Sequence, residues 1–184
     1  MLELRIHGRG GQGAQVACQI LADAFFRGGA WVQAFAAYGG ERRGAPVTAS
    51  LRVDAAPIRL RCDVERPRHL IVLDPTLLAE LPPGSLDVEG RILINSSTAP
   101  CGRLAGAAAY AVVDADTIAG RVGLGSIVAT AMAGAFAGAT GLLSLEHLLA
   151  AVEAGSPAKK HENVEAATIA YRKAAAAAAM EVAR

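Results

Sequence analysis

Three things are scarce in this sequence of 184 residues: aromatic side chains at 4%, cysteine at three residues, and any surplus of charge, with 18 Lys plus Arg against 17 Asp plus Glu. The formal charge of +1 gives no broad field to hold nucleic acid or an anionic membrane, so neither is expected as a partner. Cys18, Cys62 and Cys101 form no CxxC pair, and their wide separation offers no ligand set for zinc or an iron–sulfur cluster. An odd cysteine count and the lack of a basic-then-apolar leader point to a cytoplasmic chain without disulfides. One uncharged stretch, 122–145, is long enough to cross a bilayer. It is built mainly from Ala, Gly, Ser and Thr, too weakly apolar to insert, and its GxxxG pair at Gly134 and Gly138 is read as the close-packing face of a buried helix.

What is present is apolar and regularly punctuated. With 53% hydrophobic residues, 20 Gly and 8 Pro, the chain is expected to pack as one domain over 1–184. Leu2, Leu4 and Ile6 alternate with Glu3, Arg5 and His7 as in a strand, and the alternation runs into the glycine cluster GRGGQG. From Ala14 the apolar residues recur at three- and four-residue steps, which predicts a helix stopped by Gly28 and Gly29. Strands are expected over Trp31 to Ala36, Val47 to Val53 and Ile58 to Arg61, the last two as a hairpin-like pair. Buried strands are expected at HLIVLD and RILIN, with a helical start at Pro75 between them and a short strand at Ala111 to Val113. Asp114 or Asp116 is placed to cap the next helix, Gly141 to end one and Ser144 to begin another, and an alanine-rich helix closes the chain from Glu162. Alternation of this kind predicts an α/β fold, Rossmann-like, with a mostly parallel sheet, flanking helices and an inserted strand pair.

Gly8, Gly10 and Gly13 complete a GxGxxG pattern directly after a strand and at the head of a helix. Glycine there permits positive φ and close approach of the backbone, and the helix start favours an anion such as a pyrophosphate. The other reading is a loop that packs tightly under its neighbours. A dinucleotide site would also need an acid at the end of the second strand, whereas the first acid here, Glu41, follows a further Gly pair. Ordinary NAD binding is therefore disfavoured. The loop YGGERRG offers Tyr38, Glu41, Arg42 and Arg43, of which the two arginines can grip phosphate or carboxylate, or serve simply as a solvated cluster. His7 beside the glycine loop, and Asp74-Pro75 at a strand end, are weaker candidates for the same edge; capping accounts for Asp74 equally well.

Five collinear segments, GRGGQG at 8–13, YGGERRGAPVTASLRVD at 38–54, HLIVLDPTLL at 69–78, GRILINSS at 90–97 and AMAGAFAGATGLLSLEHLLAAVE at 131–153, resemble the gamma subunit of the 2-oxoacid:acceptor oxidoreductases. This is the pyruvate:ferredoxin oxidoreductase family. The chain departs from the usual pattern at Gly40, where many relatives have Pro, and at Gly123-Leu124-Gly125, where the usual start is Asn-rich.

The resemblance implies a chain that is not catalytic alone, with alpha, beta and ferredoxin-like delta subunits as partners. Thiamine diphosphate with Mg2+ and [4Fe–4S] clusters are then held by other subunits, coenzyme A accepts the acyl group, and ferredoxin or a flavin/NAD subunit takes the electrons. Within this chain Gly8, Arg9, Gly10, Gly11, Gln12 and Gly13, with Tyr38, Glu41, Arg42 and Arg43, are the expected wall for coenzyme A, and no catalytic or metal-binding residue is expected. A free-standing nucleotide-binding oxidoreductase and a purely structural subunit are the alternatives.

Overall fold

The computed structural model describes residues 1–38, 44–81, 91–98 and 109–182. Six strands form one sheet: β1 (Leu2–Arg9), β2 (Trp31–Tyr38), β3 (Pro46–Asp54), β4 (His69–Val72), β5 (Arg91–Asn95) and β6 (Ala109–Val113), in the order β2-β3-β1-β4-β5-β6. The pairs β1–β4, β4–β5 and β5–β6 are parallel, while β3 runs antiparallel to both β1 and β2. The chain thus crosses over from β1 through α1 (Ala14–Arg27) to β2, and β3 turns back into the gap between them. This α/β sheet with its inserted antiparallel strand matches the Rossmann-like, mostly parallel expectation.

One local expectation needs correction. Ile58 to Arg61 is not a strand, because β3 already has β1 on one side and β2 on the other and has no free edge for a hairpin partner. The hairpin is β2–β3 instead. The Pro75-led turn is a 3-10 helix, Pro75–Glu80, headed by Asp74, whose carboxylate accepts the amide of Thr76.

The helices α1, α2 (Ala115–Arg121), α3 (Ala129–Thr140), α4 (Leu145–Gly155) and α5 (Lys160–Val182) share one core with one face of the sheet. Leu4, Ile6, Leu51, Ile71, Leu73, Leu93 and Val113 meet Leu21, Ile118, Phe136, Leu148 and Ala170 there. The opposite face carries a smaller cluster, Leu70, Val72, Ile92 and Ile94 under Leu77. The caps fall as the residue types require: Asp114 accepts the amide of Thr117, Ser144 accepts that of His147, and Gly141 ends α3 at φ +65°. Gly134 and Gly138 let α3 lie directly on α5, since a Cβ at either would run into the backbone of Ala167 or Tyr171. The uncharged stretch therefore holds the buried helix α3, and no helix among the described residues is long and apolar enough to cross a membrane.

Candidate functional site

The carboxyl ends of β1, β4 and β5 lie side by side, the edge where open α/β sheets bind ligands. β1 extends through Gly8 and Arg9, which pair with Val47 and Pro46 of β3. Gly11 and Gly13 then take positive φ, +103° and +87°, which turns the chain into α1. Gly8 does a different job. A Cβ there would stand 3.0 Å from Leu73 and 3.3 Å from Ala14, so its absence lets β1, the end of β4 and the start of α1 close up. At Gly13 both constraints act, because a Cβ would also meet Ala129 of α3 at 2.9 Å. Close packing thus accounts for Gly8, positive φ for Gly11, and both for Gly13.

Polar side chains fix the loop from the β4 side. Arg9 Nε donates to Asp74 Oδ2 at 3.2 Å and Arg9 Nη2 to Thr76 Oγ1 at 2.8 Å, with Glu80 3.5 Å away. Gln12 turns back to accept the amide of Arg9 at 2.7 Å and reaches Asp74 at 3.5 Å. Partial burial works to raise the Asp74 carboxyl, but the hydroxyl and amide of Thr76 and the Arg9 guanidinium outweigh it and hold the group below the ordinary carboxylate range. Asp74 is thus both the cap of the 3-10 helix, as one of its two readings expected, and the hub of this cluster. Arg9 is matched by carboxylates of its own chain. The N-cap of α1 is Gly13, which offers no side chain to its first amides.

The second expected element leaves the sheet at Tyr38, the last residue of β2, and returns at Gly44. Gly10 N donates to Ala45 O at 2.9 Å and Gly44 N to Gly10 O at 3.4 Å, which stitches the glycine loop to the end of that segment. Glu41, Arg42 and Arg43 lie outside the described residues, as do the side chain of Tyr38 and Cys101. His7 stands one residue before the loop with Nε2 buried and without a hydrogen-bond partner among the described residues. Burial, aided by the charge of Arg5, pushes its pKa down to about 4, so the ring is neutral at physiological pH.

One feature escaped the sequence reading. Asn95, at the end of β5, is 2% exposed and ties three strand ends together: it donates to Leu73 O and Asp116 Oδ2, both at 2.9 Å, and accepts the amide of Ala115 at 3.0 Å. A polar residue closing an apolar strand run, RILIN, was the available signal. No three His, Cys, Asp or Glu side chains come together to hold a metal among the described residues.

A mixed sheet of this order, with a glycine loop stitched to the return of the following strand pair, defines an α/β subunit of a known type. The chain belongs to the pyruvate ferredoxin/flavodoxin oxidoreductase family, whose model matches residues 3–174, and is a gamma subunit within it. It is similar to the pyruvate synthase subunit PorC of Methanocaldococcus jannaschii, 45% identical over 93% of this chain and 96% of that one. The common gamma subunit of the pyruvate/ketoisovalerate oxidoreductases of Pyrococcus furiosus is 42% identical over 94% of this chain and 97% of its own. In three dimensions the chain resembles the pyruvate oxidoreductase subunit PORC of Thermotoga maritima, with a TM-score of 0.79, 34% identity, and coverage of 93% and 95% of the two chains. It is accordingly one subunit of a multisubunit oxidoreductase that acts on 2-oxoacids.

Proposed function

We propose that this gamma subunit serves a complex that oxidatively decarboxylates a 2-oxoacid, of the pyruvate or aryl type, to its acyl-CoA, and that it supplies part of the coenzyme A site. The reaction balances as loss of CO2, formation of a thioester from the coenzyme A thiol with release of its proton, and release of two electrons to ferredoxin or a similar acceptor. Thiamine diphosphate with Mg2+, held by alpha and beta partners, supplies the stabilised carbanion, and [4Fe–4S] clusters in other subunits, a delta subunit among them, carry the electrons. The setting is cytoplasmic.

The observation that supports a coenzyme A wall is the pair of backbone hydrogen bonds between Gly10 and the Gly44–Ala45 return. They tie residues 8–13 to Gly44 and Ala45, the described end of the segment that leaves β2 at Tyr38 and whose sequence carries Glu41, Arg42 and Arg43. Arg9, balanced by Asp74 and Glu80, holds the wall in shape, while Arg42 and Arg43 bring the positive charge that phosphate groups require. Gly10, Gly11 and Gly13 keep that wall thin enough for a ligand to approach the backbone, while Gly8 lets it close on Leu73 and Ala14.

The test is steady-state kinetics of the assembled complex carrying Arg42→Ala, Arg43→Ala or Gly10→Val. The expected result is a Michaelis constant for coenzyme A raised about tenfold or more, with that for the 2-oxoacid little changed and assembly intact. Unchanged coenzyme A kinetics in all three complexes would remove the binding role and leave this chain a structural subunit.

A further inference from the structure

Between β3 and β4 the chain makes an excursion, 55–68, that has no regular structure and lies across the β2-β3-β1 part of the sheet, on the face away from α1. Its carbonyls are gripped one by one by side chains from three strands. Gln33 Nε2 of β2 donates to Leu60 O at 2.9 Å, Arg52 Nη2 of β3 to Asp63 O at 3.0 Å, and Arg5 Nη1 of β1 to Val64 O at 3.4 Å. Val64, 3% exposed, and Pro67 anchor it inward, and Arg68 N closes it on Glu3 O at 2.8 Å.

The central grip, Arg52, is 1% exposed, pairs with Glu3 at 2.8 Å, bonds Gln33 at 3.1 Å and has its guanidinium 5.6 Å from the Phe35 ring centroid. A guanidinium withdrawn from water is a costly device, and here it serves to fix a strap that adds only two buried side chains to the fold.

What the strap presents outward is specific. Arg59, Arg61 and Arg66 are exposed, and none is ion-paired among the described residues. Between the first two stands Leu60, 42% exposed, and Trp31 of β2, 53% exposed, lies on the same sheet face two residues from the Gln33 that holds Leu60. The segment counts four arginines against Asp63 and Glu65, whereas the whole chain is nearly neutral. Charge concentrated around two large apolar side chains, on a backbone that is already ordered, has the make-up of a protein interface with an arginine-rich rim.

We infer that the strap Arg59–Arg66, with Trp31, is a docking surface for another subunit of the complex, one that brings a carboxylate-rich face with an apolar centre to receive Leu60 and Trp31. It lies on the sheet face opposite the helical layer and is independent of the coenzyme A wall. The near-neutral overall charge disfavours nucleic acid or a lipid surface as the occupant, since either would call for a wider basic field.

The test uses the assembled complex. Arg59→Glu/Arg61→Glu/Arg66→Glu is compared with the milder Arg→Gln triple, with the thermal midpoint of each chain as the folding control. The expected result is dissociation at low salt, with an apparent Kd raised about tenfold or more for the Glu triple and less for the Gln triple, the gap closing in high salt. A photo-crosslinking residue at position 60 should join a peptide rich in Asp and Glu from a co-purifying subunit. Complexes that assemble identically with both triples overturn the inference while leaving the family assignment and the coenzyme A kinetics untouched. Crosslinks that go only to nucleic acid, or binding to anionic vesicles in place of a subunit, overturn it as well.

Discussion

Arg9 and Asp74, 65 positions apart in sequence, meet at 3.2 Å between Nε and Oδ2 and so hold the glycine loop after β1 against the turn after β4. Their link is half-open to water, so its energetic weight is modest and its effect on shape is the larger one. Asp74→Asn is expected to lower stability by about 1 kcal/mol or less and to raise the coenzyme A Michaelis constant severalfold through loss of loop position. Because the folded-state pKa of Asp74 is depressed, the carboxylate contributes above the ordinary carboxylate range and its contribution disappears as the pH falls below that range. Urea unfolding of the variant and the parent at neutral and acid pH checks this: the difference between them should shrink on acidification.

Gly134→Ala and Gly138→Ala are expected to be far more damaging than any exposed Gly→Ala change. The added methyl would meet the carbonyls of Ala167 and Tyr171, which are helix backbone and cannot rotate away. Forcing α3 and α5 apart should cost about 3 kcal/mol or more, read as a lowered denaturant midpoint or as insoluble protein. Gly120→Ala, with nothing near its would-be Cβ, is the matched control and should be neutral or slightly stabilising.

The residues that were legible in the sequence are those whose roles are local. Gly141, Asp114 and Ser144 end or begin helices where their own chemistry demands, and HLIV and RILIN stand as buried parallel strands because both faces are covered. Ile58 to Arg61 misled because alternation with arginine mimics a half-buried strand, and only the tertiary arrangement shows that β3 has no edge left to pair. In the site, the positive φ of Gly11 and Gly13 could be anticipated from glycine itself. The packing duty of Gly8 against Leu73 and the pairing of Arg9 with Asp74 could not, since both join segments more than 60 positions apart.

Glu3→Gln and Arg52→Met make an instructive pair. Arg52 is enclosed and Glu3 is its carboxylate, so removing the acid alone strands a buried charge and should cost about 3–5 kcal/mol. Arg52→Met removes the charge and keeps much of the volume, and should cost less. The double variant should be more stable than Glu3→Gln alone, a sign reversal that a double-mutant cycle by urea unfolding would detect.

His69 is buried and His7 half-buried, and both are pushed from the ordinary 6.5 down to about 4, His7 by burial and the charge of Arg5, His69 by burial and the charges of Arg68 and Arg91. His69 also packs edge-on against Phe136, with centroids 5.5 Å apart, and its Nδ1 has no hydrogen-bond partner among the described residues. Between about pH 6.5 and pH 4 the unfolded chain binds protons that the folded one refuses, so stability should fall as the pH falls through that window. Below about 4 the histidine contribution levels off, and any further loss belongs to depressed carboxylates such as Asp74 and Asp114. Unfolding free energies measured at pH 7, 6, 5 and 4 should trace this slope, and His69→Gln should flatten part of it without moving the lower carboxylate-driven step. A slope that His69→Gln leaves unchanged would mean that this ring accepts its proton as readily in the folded chain as in water.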